Sequence, residues 1–215
     1  MVGLLAMIVL VGMGEHMAER FLPLYLQELT QASTAILAIG LLAAMDDLLS
    51  ALYSFPGGYL SDRLGTKRAL LFFNFLSMLG YLCVIFIPTW WAVLVGAMFF
   101  ISWSAISLPA TMELLSKIVP KNRRTLGVSV LALVRRVPKI LGPIVGGACI
   151  AAWGVEAGVR AAFVFALVLA LLASILQQVM IADDSKHHKV AEASPIKLWH
   201  EMPFTLRNLL LSDIL

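Results

Sequence analysis

Ionisable side chains set within long apolar runs constrain this chain more than any other feature, because a charge in hydrocarbon is costly unless it faces water or a partner. Six such runs lie at about 2–26, 34–60, 67–87, 90–116, 125–152 and 158–181. A bilayer core about 30 Å thick needs roughly 20 apolar residues per helix, so each run is long enough to cross it. Sixty per cent of the 215 residues are hydrophobic and 13 per cent charged, whereas soluble domains are roughly half apolar and a quarter charged. The pattern predicts an all-α membrane protein with six transmembrane helices in residues 1–181.

Residues 182–215 are different. Ala182 to Lys189 is strongly polar, so 182–200 reads as a cytoplasmic linker. Residues 201–215, with Phe204, Leu206 and Leu209 to Leu211, read as the start of a seventh span that stops short. A truncated or half-length product is expected on that reading.

Orientation follows from the loops. Arg63, Lys67 and Arg68 lie in one, Lys117, Lys121, Arg123 and Arg124 in another, and the loops at 27–33 and 88–89 hold no Lys or Arg. Short loops rich in cations stay cytoplasmic, which puts the amino terminus there too, in the plasma (inner) membrane. Trp90, Trp91 and Trp153 then fall at the outer ends of their helices, as an aromatic belt. The net charge of +3 comes from loop clusters, not from a basic face, so no nucleic-acid partner is expected.

A weak repeat is visible. Gly57-Gly58 followed by Gly65 returns 89 residues later as Gly146-Gly147 followed by Gly154. Three spans separate the copies, so they face opposite sides of the membrane, as a 3+3 inverted repeat requires.

The buried charges are unevenly shared. Helix one carries Glu15, His16, Glu19 and Arg20, helix two Asp46 and Asp47, helix four Glu113, and helix five Arg135, Arg136 and Lys139. Helices three and six are nearly bare, with Asn74 in one and Gln177 and Gln178 at the end of the other. Arg135 lies 11 residues past Arg124, roughly 17 Å along a helix and near mid-membrane. Acidic groups of helices one and two can therefore meet the basic groups of helix five. They form either structural ion pairs or a substrate and proton pathway, and both readings stay open.

Arg135 and Lys139 share a helical face at the i, i+4 spacing, as do Glu15 and Glu19. Paired cations suit an anionic group, and Glu15, Glu19, Asp46 and Asp47 are candidates for proton coupling. The His16-x-x-Glu19 step lacks a second intramembrane histidine, and Cys83 and Cys149 lie far from CxxC spacing. Neither a metal nor another cofactor is expected.

The first basic loop reads Gly58-Tyr59-Leu60-Ser61-Asp62-Arg63-Leu64-Gly65-Thr66-Lys67-Arg68. It resembles the G-x-L-[AS]-D-R-x-G-[RK]-[RK] signature of the major facilitator superfamily, departing only at Thr66. Gly142-Pro143-Ile144-Val145-Gly146-Gly147 is similar to the GPxxGG part of the helix-five motif in the superfamily's antiporters, with Pro138 where a glycine usually stands. The usual arginine of helix four is absent. A kinked helix with small residues for packing explains the same stretch.

The resemblance implies twelve helices in two six-helix halves, with helices one, two, four and five toward a central path. Transport of a small solute by alternating access is then expected, in the direction of proton-coupled efflux, with the partner half supplied by a carboxy-terminal domain or a second copy. A nontransporting membrane scaffold is the alternative. An enzyme is not expected, because no Ser, His or Cys spacing supplies a catalytic set.

Overall fold

A computed structural model describes residues 2–101, 103–120 and 124–180. The side chains of Asp62, Lys117 and Arg124, residues Lys121 and Arg123, and the whole of the expected linker and seventh span lie outside the described residues.

Seven helices are described: α1 Val2–Glu19, α2 Leu22–Leu29, α3 Ala32–Leu64, α4 Thr66–Phe86, α5 Trp90–Phe100, α6 Trp103–Ile118 and α7 Arg124–Met180. The expected first helix is thus broken at Arg20 and Phe21. Pro23 lies at the start of α2, where a missing N–H does no harm to the ladder. The expected fourth helix is described as α5 and α6, with Ile101 after α5 still helical at φ −62° and ψ −31° and Ser102 outside the described residues. The expected fifth and sixth helices run together as α7, interrupted at Gly154, whose φ of 79° and ψ of 178° are not helical. A Cβ on Gly158 would lie 2.5 Å from the Ile150 Cα, so the chain doubles back there into two arms.

By length and composition, three of the described helices can cross a membrane: Ala32–Tyr53, Thr66–Phe86 and Thr125–Val179, the last being the doubled-back α7.

Helix α1 lies against both arms of α7. Small residues make this possible. A Cβ on Gly12 would meet Pro138 at 3.0 Å, and one on Gly142 would meet the His16 and Met17 backbone at 3.0 Å, both on the first arm. On the second arm, Ala166 sits 3.2 Å from where a Gly14 Cβ would be. In lipid such close approach replaces the hydrophobic effect as the source of helix association. Helices α4 and α5 cross in the same way, with Gly80 against the Gly96 carbonyl.

Two apolar clusters fill the interior. One joins Met17, Tyr25 and Leu26 to Tyr81, Phe100 and Phe163, whose three rings pack at 5.2, 5.4 and 5.8 Å. The other joins Met7 and Val11 to Phe73, Trp103, Leu115 and Leu131.

The bare helices are tied to each other by polar contacts. Asn74 Nδ2 donates to the Ala170 carbonyl at 2.8 Å and to Ser174 Oγ at 2.6 Å. Gln177 Nε2 donates to the Lys67 carbonyl and Lys67 Nζ to the Gln178 carbonyl. Each still turns an apolar stripe outward: Phe72, Phe75 and Leu79 on α4, and Phe165, Leu172 and Ile175 on the second arm.

Candidate functional site

The charged residues of α1 stand where α1 packs on α7, with Asp46 of α3 within electrostatic reach of Glu19. Glu15 is buried. The next residue, His16, hydrogen-bonds Glu19 Oε2 through Nδ1 at 3.0 Å, which occupies both members of the His-x-x-Glu step. Asp46 is half-buried on α3, where Ser50 Oγ donates to it at 3.5 Å, and it lies within electrostatic reach of Glu19, Asp47 and Arg20. Asp47 is exposed.

Arg135 is half-buried and donates from Nη2 to Thr111 Oγ1 on α6 at 2.8 Å, with Glu15 close enough to act on its charge. Lys139, expected on the same face, is exposed, as is Arg136. Four residues turn a helix by about 400°, so each i, i+4 step drifts about 40°. The buried stripe of this arm runs through Leu131, Pro138, Gly142 and Gly146; Arg135 sits at its edge and Lys139 falls past it.

Glu113 lies in a different place. Ser61 Oγ and Thr66 Oγ1 both donate to its Oε2 at 3.0 Å, which ties α6 to the turn between α3 and α4. Thr66 is the one departure from the loop signature, and its hydroxyl supplies one of these bonds.

The rest of that loop has legible roles. Gly65 ends α3 and begins α4 with φ 84° and ψ 147°, a conformation open to glycine, and its N–H donates to the Ser61 carbonyl at 3.0 Å. Arg63 is exposed and lies over the Tyr59 ring at 5.6 Å. Arg68 is exposed beside the Lys67 that holds Gln178. Gly58 is not at a close approach: a Cβ there would meet Pro109 at 3.8 Å, an ordinary contact.

In the helix-five stretch, Gly142 and Gly146 press on α1, a Cβ on Gly146 overlapping the Met17 carbonyl, while Gly147 is looser, at 3.6 Å from Phe21. Pro143 is half-buried within the helix.

A family model described as Major Facilitator Superfamily matches residues 4–211. The chain belongs to that superfamily. It is therefore an integral membrane protein of a family that moves small molecules across membranes and is not a family of enzymes. No curated protein matches the chain closely enough to count as a relative.

Within the superfamily's frame, the groups that sequence reasoning passed over are hydroxyls: Thr111, Ser61 and Thr66. Thr111 precedes Glu113 by two residues in an apolar run, the signal that could have marked it.

Proposed function

We propose that the chain is the amino-terminal half of an alternating-access transporter, with six spans in a 3+3 inverted repeat and helices one, two, four and five toward the path. One observation carries this reading. Asp47, Arg136 and Lys139 are exposed in mid-helix amid exposed apolar neighbours such as Leu48, Val137 and Ile140. Charges at that depth do not face acyl chains, so water or a second six-helix unit covers these surfaces. The carboxyl-terminal half, or a second copy, is the partner that fits.

The repeat has support of its own. Gly65 and Gly154 are both positive in φ, at 84° and 79°, and stand 89 residues apart, where the repeated glycines place them. The cations of the Gly65 loop favour the cytoplasmic side for it and for the amino terminus.

The cluster of Glu15, His16, Glu19, Asp46, Asp47 and Arg135 serves as the substrate and proton site, in the direction of efflux, with Arg136 and Lys139 on the wall that faces the partner. Glu113 acts with Asp62, Arg63 and Arg68 in the loop that changes conformation.

Proteoliposomes test the reading. The 215-residue chain alone should show no proton-driven efflux, and coexpression with a carboxy-terminal half should restore it. Transport by the monomeric chain, or none with any half, would sink it; the second result favours a membrane scaffold.

A further inference from the structure

Asp47 is exposed on α3, and Arg136 and Lys139 are exposed on the first arm of α7. None of the three forms an ion pair among the described residues. Charges left outward at mid-helix need a partner of opposite sign or water.

The two helices leave equivalent faces uncovered. Ala38, Leu42 and Leu49 are buried on α3, and Gly127, Leu131 and Pro138, each 89 residues further on, are buried on the arm. Leu37, Leu48 and Leu52 are exposed, and so are Leu126, Val137 and Leu141 at the same spacing. The charges keep that register with their signs reversed. Asp46 and Arg135 are both half-buried, and Asp47 and Arg136 are both exposed. Each outward face is therefore an apolar strip with a charge near its middle, acidic on α3 and basic on the arm.

The opposite charges also stand at one depth. Glu28, near the end of α2, lines one open cavity with Trp153 and Gly154 of the reversal, so α3 begins at the end of the bundle where the first arm stops. From that end, Asp47 lies 15 residues in from Ala32, Lys139 lies 14 in from Trp153 and Arg136 lies 17 in. At the usual helical rise these are roughly 23, 21 and 26 Å. The carboxylate falls between the two cations.

A surface that bears an acid on one helix and bases at the same depth on another is complementary to itself under a two-fold rotation. That is what a closed pair of identical subunits requires, since each contact is made twice with the roles exchanged. Any other crossing is penalised: α3 on α3 sets Asp47 against Asp47, and arm on arm sets Arg136 against Arg136.

We propose that α3 and the first arm of α7 bind a second copy of this chain about a two-fold axis along the membrane normal, with Asp47 of each copy between Arg136 and Lys139 of the other. A different six-helix unit would have to bring its own acid and bases to the same two places, whereas a second copy holds them already. The pairing rests on the transporter reading above for its membrane topology and names the second copy as the partner.

Two tagged forms of the full chain, both with Cys83→Ala and Cys149→Ala, are coexpressed, one carrying Asp47→Cys and the other Arg136→Cys. Membranes are treated with a short membrane-permeant bismethanethiosulfonate crosslinker. A linked species bearing both tags is expected, with little linkage when both copies carry Asp47→Cys or both carry Arg136→Cys. Dimers of the chain with its native cysteines, counted in liposomes by single-molecule photobleaching, should form about tenfold more weakly in Asp47→Arg and recover when Arg136→Asp and Lys139→Asp are added to it. Monomers at every protein-to-lipid ratio, open rows in place of closed pairs, linkage of like-labelled copies as efficient as that of unlike ones, or an Asp47→Arg chain that dimerises as the wild type does would overturn the proposal. Pairing is read without a transport measurement, so the two readings fail separately: a monomeric chain that regains efflux with a carboxy-terminal half overturns only the pairing.

Discussion

Arg135 on the first arm of α7 reaches the Thr111 hydroxyl of α6 at 2.8 Å, so a guanidinium deep in one helix is held by a neutral acceptor on another. The bond leaves its full charge available to Glu15 or to an anionic solute.

Thr111→Val keeps the side chain's shape and removes that acceptor. It should cost about 1.5–3 kcal/mol, the usual worth of a hydrogen bond to a charged group, read as a lower melting temperature in detergent. Arg135→Gln should reduce transport by the assembled protein more than about tenfold, a change of about 1.4 kcal/mol, whereas Lys121→Gln in a loop should leave it nearly unchanged. Equal effects in the proteoliposome assay would remove Arg135 from the pathway.

Gly146 and Gly147 should part company on substitution. Alanine at 146 would overlap the Met17 carbonyl and is expected to cost about 1–3 kcal/mol through overpacking. Alanine at 147, 3.6 Å from Phe21, or at 58, 3.8 Å from Pro109, should stay within about 0.5 kcal/mol. Thermal melting of the three variants decides it, and similar melting temperatures would mean that α1 and the first arm are farther apart.

Gly154→Ala isolates backbone strain, because nothing lies within 4 Å of the added methyl and φ is +79°. A loss of about 1–3 kcal/mol is expected, with Gly65→Ala showing a loss of the same order at φ 84°. A Gly154→Ala chain as stable as wild type would remove the reversal from the fold.

Thr66→Val and Ser61→Ala each delete one hydroxyl from Glu113 Oε2. Each should cost about 1–3 kcal/mol, as for other bonds to a carboxylate. Because the two donors share one oxygen, a double-mutant cycle should return a coupling of about 0.5–3 kcal/mol. Strict additivity in melting would show that Glu113 does not join them.

Much of the helical framework was legible in the residues. The α3 and α4 limits, Ala32–Leu64 and Thr66–Phe86, differ by only a few residues from runs drawn at 34–60 and 67–87, because Gly65 and the cations beside it punctuate the apolar pattern. The break at Arg20 and Phe21 was not legible, since Glu15 to Leu29 carries no glycine and its one proline, Pro23, is compatible with a helix start. The family was legible in the Gly58 to Arg68 loop, where seven matching positions at fixed offsets leave little to chance.

The order of residues alone established that this chain lives in a bilayer, which helices carry charge, and which loop names the family, because hydropathy and a contiguous signature are local properties. Which charges meet depended on the packed bundle. Glu113 went to Ser61 and Thr66, Arg135 to Thr111, and Lys139 to the exposed side of the arm. Partners more than 20 positions apart are chosen by how far glycines let helices approach and by the angle each helix turns, and neither is written at the position of the charge itself.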